Sequence, residues 1–212
     1  MNPKRYLWKS VLLVGALLVL ASQPAVAHQP FFEEVESTAA APWLISDPST
    51  SLALYFSLER PGDVDYFVFD GTAGQAILLS IVIPQIKGQE NFTPTLALLG
   101  PGLPVVELPH VVEQPLNTGA YILRASSGKA STFFEPFSRT GYWQRQQERA
   151  TLPADGQYWV AIWSESGQVG RYTFSPGDRE RFGGDAAFAR KLRTYWTPVP
   201  SPTRSGGYPC GG

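Results

Sequence analysis

Few residues in this 212-residue chain have the chemistry of a ligand, a nucleophile or a proton carrier. There are two histidines, His28 and His110, and one cysteine, Cys210. His28 directly follows Ala25-Val26-Ala27, a small-x-small cleavage signal. A mature chain that starts at His28 presents an amine and an imidazole on one residue, and that pair chelates copper when a second histidine completes the set. His110, in the Pro-flanked loop Leu108-Pro109-His110-Val111, is the available partner. No histidine cluster or Met-rich segment accompanies it, since Met1 is the single methionine, so the donor set falls short of what the metal requires. Copper binding through His28 therefore stands as an alternative, and no bound cofactor or metal is expected.

Hydrolysis needs a nucleophile with its base, a positioned carboxylate pair or a metal. The chain has no Gly-x-Ser-x-Gly, no His-Glu-x-x-His and no glycine-rich phosphate loop. A serine triad would have to recruit the loop residue His110. The chain is read as non-enzymatic, and an enzyme of unrecognised type with its site in residues 103–147 is the other alternative. Asp63 and Asp65 raise the question of calcium, but two acids supply far fewer than the ~6–8 oxygens that ion takes. They are read as turn carboxylates that cap backbone N–H groups.

Aromatic residues carry the remaining signal. If Tyr158, Val160 and Ile162 face a core, strand alternation turns Trp159 and Trp163 to the opposite face. That face is either a binding surface or a face under cover, and the expected cover is Phe133 to Arg139 with Tyr142 and Trp143. Trp159, Trp163, Tyr142 and Trp143 are thus the candidate ligand-binding residues.

Short strands must position these side chains. The first 27 residues combine Lys4, Arg5 and Lys9 with the apolar run Val11 to Ala21 and read as a secretory signal peptide, too short to span a bilayer. Its loss takes the formal net charge from −1 to −4. An acidic surface argues against nucleic acid and anionic membrane as partners, and membrane is met through the signal segment alone, before cleavage. Cys210 has no partner for an internal disulfide and reads as an inert tail thiol, with pairing to another chain as the alternative. Gly at 20 and Pro at 19, with abundant aromatics and sparse charge, suit many strands and tight turns.

Residues 28–50 are expected to be an extended lead-in pinned by Phe31, Phe32 and Trp43. Strands are expected at 51–58, 64–69, 75–83, 95–99, 120–123, 148–152, 158–163 and 170–174. The stretch 103–147, broken by Pro104, Pro109, Pro115 and Pro136, is too long for an ordinary loop and is expected to be an ordered insertion in a domain spanning 51–176. Residues 177–196 read as a helical extension, with Asp185 opening a helix over 186–195 that shows Phe188, Leu192 and Tyr195 on one face. Residues 197–212 read as a disordered tail.

Gly62-Asp63-Val64-Asp65-Tyr66-Phe67-Val68-Phe69, Thr95-Leu96-Ala97-Leu98-Leu99-Gly100-Pro101-Gly102 and Leu152-Pro153-Ala154-Asp155-Gly156-Gln157-Tyr158-Trp159-Val160-Ala161-Ile162 follow one another in the order of a known module. Over about residues 50–176 the chain resembles the bacterial pre-peptidase C-terminal (PPC) domain, a small secreted β-sandwich that often trails extracellular proteases. The resemblance implies an all-β fold, an antiparallel sandwich of jelly-roll or immunoglobulin-like type, with a long insertion and a short C-terminal helix added. Some members bind calcium through carboxylates. In Asp155-Gly156-x-Tyr158 the first two residues make a turn and the tyrosine is expected to bond backbone across a sandwich corner. The sequence is therefore read as an exported, non-catalytic binding or accessory module, secreted, periplasmic or at the cell surface. Its expected partner is an envelope or extracellular protein or polysaccharide.

Overall fold

Alternation along one strand sets the layering of the molecule. In the computed structural model, which describes residues 28–126, 129–181 and 183–196, Leu52, Leu54, Phe56 and Leu58 point inward from strand β3 (Leu52–Leu58). Phe67 and Phe69 meet them from β4 (Val64–Gly71), and Phe56 lies edge-on to Phe67 at 4.8 Å. The expected signal segment, the expected disordered tail after residue 196 and Cys210 lie outside the described residues.

Two sheets form the sandwich. One has six strands in the order β1 (Gln29–Phe32), β3, β11 (Gly170–Pro176), β5 (Ala76–Pro84), β9 (Thr140–Thr151) and β8 (Ser131–Glu135). The other has five, in the order β2 (Trp43–Leu44), β4, β10 (Gly156–Trp163), β6 (Thr95–Gly100) and β7 (Gly119–Leu123). Leu79, Ile81, Tyr172 and Phe174 of the first sheet and Leu96, Leu98, Val160 and Ile162 of the second complete the interior.

The sandwich is all-β with a short helix, as expected, but its sheets are mixed rather than purely antiparallel. The lead-in is the reason. β1 runs parallel to β3 and β2 parallel to β4, so residues 28–50 give each sheet an edge strand. Phe31 and Trp43 drive this, with rings 5.5 Å apart and both packed on the core.

The stretch 103–147 supplies three strand segments rather than one. β7 pairs with β6, and β8 folds back on a twelve-residue β9 that starts well before the expected 148–152. Its first part crosses the outer face of the five-stranded sheet, where Val106, Leu108, Val111 and Val112 pack on Ala97, Leu99, Ala161 and Trp163. The Glu113 amide donates to the Tyr66 hydroxyl at 2.6 Å and pins this crossing.

Tyr158 is fully buried on β10, and its hydroxyl lies 2.8 Å from the Ala154 carbonyl and 3.1 Å from that of Pro101, while the Ala154 amide donates to it at 3.3 Å. This is the corner bond expected from Asp-Gly-x-Tyr. Tyr158→Phe keeps the ring and deletes the bond, and a loss of about 1 kcal/mol in denaturant unfolding is expected. An unchanged midpoint would show the hydroxyl to be idle.

The helix α1 spans Phe188–Tyr195, two residues shorter at its start than the sequence suggests. Asp185 accepts from the Ala187 amide at 2.7 Å and pairs with Lys191 at 2.5 Å. Leu192 and Tyr195 seat the helix on Phe32, Ala53 and Tyr55, on the outer face of the six-stranded sheet. The Tyr195 hydroxyl donates to the Phe56 carbonyl at 2.5 Å.

Candidate functional site

The helix covers only the β1–β3 side of that outer face. Beside it, over β11, β5, β9 and β8, a groove of about 210 Å³ remains open. Its lining sets the uncharged polar side chains Ser80, Thr173, Ser175, Gln144 and Gln147 among the apolar Ala53, Leu78 and Val82, with Glu135, Asp178 and Glu180 also lining it. A β-bulge makes this lining. The β5–β9 register shifts between Ile81 and Val82, so Gln146 and not Arg145 pairs with Ile81, while Gln144 pairs with Val82. The extra residue, Arg145, resets the alternation and brings Gln144 and Gln147 to one face although they are three positions apart. Buried Gln146 points inward and donates to the Pro94 carbonyl.

Aromatic rings wall the groove. Phe133 stacks on Tyr142 at 5.5 Å and Phe137 on Phe188 at 4.6 Å. Phe133 and Phe137 remain 42% and 46% exposed. Phe134, 63% exposed, alternates to the other side of β8. Glu135 accepts from the Phe137 amide at 2.7 Å and the Ser138 amide at 2.5 Å, and so holds the turn that presents Phe137. Burial pushes the Tyr142 phenol up to about 12 and that of Tyr55 higher still, so both remain neutral hydroxyls. At the mouth Arg149 pairs with Asp178, and the His28 ring bonds the Ser51 hydroxyl and lies 3.8 Å from Glu180.

The four aromatic candidates from the sequence do not share a surface. Trp159 and Trp163 do face away from the core, but they lie under residues 106–112, and Trp163 is buried. The expected cover, Phe133 to Arg139 with Tyr142 and Trp143, belongs to the other sheet. There Tyr142 turns outward into the groove, and Trp143 turns inward against the main core. His28 borders the groove, whereas His110 belongs to the crossing over the five-stranded sheet. The two histidines thus sit on opposite outer faces, and His110 does not complete a copper site on His28. Among the described residues no group of three or more His, Cys, Asp or Glu side chains is placed to hold a metal.

A second feature was hidden in the sequence. At one end of the sandwich Glu33, Glu36 and Glu59 line a cleft of about 460 Å³ together with Arg171, Lys191 and Tyr195. Asp63 caps its turn as expected, accepting from the Glu59 amide at 2.6 Å, and pairs with Arg60 at 3.1 Å. Asp65 does not cap a turn. It shares the inner face of β4 with Phe67 and Phe69, is fully buried, and accepts from the Tyr172 hydroxyl at 2.7 Å. Its other oxygen is buried without a hydrogen-bond partner. Burial, then the charge of Glu33, holds the Asp65 carboxyl well above the usual range. Glu33 is pushed up to about 7, first by burial and then by Glu36, Glu59 and Asp63, against the Ser57 amide that donates to it at 3.1 Å. Burial and a carboxyl–carboxyl contact with Asp63 raise Glu36. The alternation Asp65-x-Phe67-x-Phe69 is the signal that places one of these acids inside.

No protein-family description matches the chain, and no curated protein matches it. Among solved structures it is similar to the crystal structure of Aeromonas hydrophila PliG, a periplasmic lysozyme inhibitor of g-type lysozyme. The match has 15% identity and a TM-score of 0.39, and covers 71% of this chain and 98% of that one.

Proposed function

We propose that this chain is an exported, non-catalytic binding or accessory module of the cell envelope or extracellular space, and that it meets its partner with the groove on the outer face of the six-stranded sheet. The observation that carries this reading is the half-exposure of Phe133 and Phe137 along a preformed groove. Large apolar rings left in water beside a concave, mostly apolar surface with a few polar groups are the usual mark of recognition. The carboxylates at the groove are engaged with backbone amides, Arg149 or His28, an arrangement that fits positioning better than proton transfer. The PPC-like order of motifs and the N-terminal segment with its Ala25-Val26-Ala27 site support export.

Cosedimentation of the mature protein with the envelope fraction of its native host tests this. Phe133→Ala with Phe137→Ala removes surface rings while leaving the core intact. The bound fraction, measured well below both melting midpoints, is expected to fall about tenfold, with the melting temperature lowered only by the loss of the two ring stacks. Equal retention of the double variant would move the binding surface elsewhere.

A further inference from the structure

We infer that the groove takes a neutral saccharide ring, so that the ligand is an uncharged glycan; this rests on the groove being the binding surface. Three features of the groove argue for that chemistry. The first is a donor and an acceptor set side by side. The Gln144 amide nitrogen donates to the Ser80 hydroxyl at 3.1 Å and to the Gln146 carbonyl at 2.8 Å. The Ser80 hydroxyl proton and the Gln144 side-chain carbonyl are then oriented by those bonds and remain to donate and accept. A donor next to an acceptor matches two neighbouring hydroxyls on a sugar. Gln147 and Ser175 extend the same uncharged polar set.

The second feature is charge. Arg149 is matched by Asp178, and Glu135 is committed to the Phe137 and Ser138 amides. An ionic ligand would have to break one of these contacts. A neutral one breaks none. The third is shape. At about 210 Å³ the groove is smaller than the ~300–1,000 Å³ of sites for drug-sized ligands, which suits a single ring of a chain that continues along the surface. Phe133, held by its stack on Tyr142, offers its free face to the apolar side of such a ring. An extended peptide adding to β8 would instead bond in the plane of the sheet and leave the groove floor unused.

The test is titration of the protein beginning at His28 with cellotetraose, tetra-N-acetylchitotetraose and the acidic tetragalacturonate, followed through the Gln144 and Gln147 side-chain amide signals in NMR spectra. At least one neutral oligosaccharide is expected to shift both signals saturably in the millimolar range or below, with little dependence on salt. Phe133→Ala should weaken that binding about tenfold, and Phe134→Ala, on the other side of β8, should leave it unchanged. Silence with both neutral sugars, stronger binding of the acidic one, or indifference to Phe133→Ala would overturn the inference. Silence together with loss of envelope retention in the Phe133/Phe137 double variant would reject the sugar and keep the surface, pointing to a protein ligand. Silence together with unchanged retention of the double variant would reject both readings.

Discussion

The protein is expected to melt at a higher temperature at pH 5 than at pH 8, by roughly 5 °C or more. The cause is the acid cluster at the end of the sandwich. Glu33 titrates near 7 in the folded chain against an ordinary value of 4.5. Between those values the folded state binds more protons than the unfolded state, so stability falls as pH rises through the window and is lowest above it. Asp65 and Glu36 are shifted in the same direction and add to the slope. The groups facing Glu33 are mostly acids: Glu36 beyond β1, Glu59 and Asp63 in the turn after β3, and Asp65 on β4. Arg60 offsets them through Glu36 and Asp63, and Arg171 lines the same cleft. Asp47 acts in the opposite sense. Its carboxyl is held down to about 2, first by Ser49, so its contribution is lost only below pH 4. Between pH 5 and pH 8 the shift of Glu33 corresponds to about 2–3 kcal/mol at most. Glu33→Gln keeps an acceptor for the Ser57 amide, found at 3.1 Å, and removes the charge. That variant should flatten the pH profile and raise the midpoint at pH 8. A wild-type profile flat from pH 5 to 8 would mean the cluster relaxes in solution.

This cluster also shows why part of the molecule could not be read from its residues. The strands built on Leu52-x-Leu54-x-Phe56-x-Leu58 and Val160-x-Ile162, the inward turn of Tyr158 and the helix face of Phe188, Leu192 and Tyr195 all follow from local periodicity, and the structure has them. Glu33 was legible as acidic and Asp65 as following a turn, but their encounter joins positions 32 residues apart on different sheets. Only the parallel addition of β1 and β2, set by Phe31 meeting Trp43, brings them together.

The groove was obscured for a different reason. A strict period of two puts Gln144 and Gln146 on one face, and the bulge at Arg145 breaks that period. The prolines of 103–118 conceal a segment that lies flat over Trp163, while the aromatic stretch 133–137, which looked like the better cover, stays at a sheet edge. Alternation correctly turned Trp159 and Trp163 outward. What covers an outward face is a question of chain path, and path is decided by long-range pairing.

Gly100→Ala should be among the most damaging single substitutions, destabilising the fold by about 3 kcal/mol. A Cβ at Gly100 would lie 2.1 Å from the Tyr158 ring, and one at Gly71, on the strand flanking β10 on its other side, 2.3 Å from Leu152 and 3.0 Å from the same ring. The ring cannot yield, since it is fully buried, stacked on Phe69 at 5.8 Å and tethered at its hydroxyl to Ala154 and Pro101. Steric conflict with a fixed ring is therefore the whole mechanism, because Gly100 has no left-handed backbone to lose. Gly74 provides the contrast: its φ of +81° calls for glycine but nothing lies within 4 Å of a Cβ there. Gly74→Ala should cost only about 1–2 kcal/mol, the backbone term alone. Combining Gly100→Ala with Tyr158→Leu tests the assignment, since a smaller side chain leaves room for the new methyl group. The double variant should lose clearly less than the sum of the two single losses in denaturant unfolding. Additive losses would place the damage in the Gly100 backbone, and the close fit of Tyr158 between β4 and β6 would no longer explain why Asp155-Gly156-x-Tyr158 and Gly100-Pro101-Gly102 occur together.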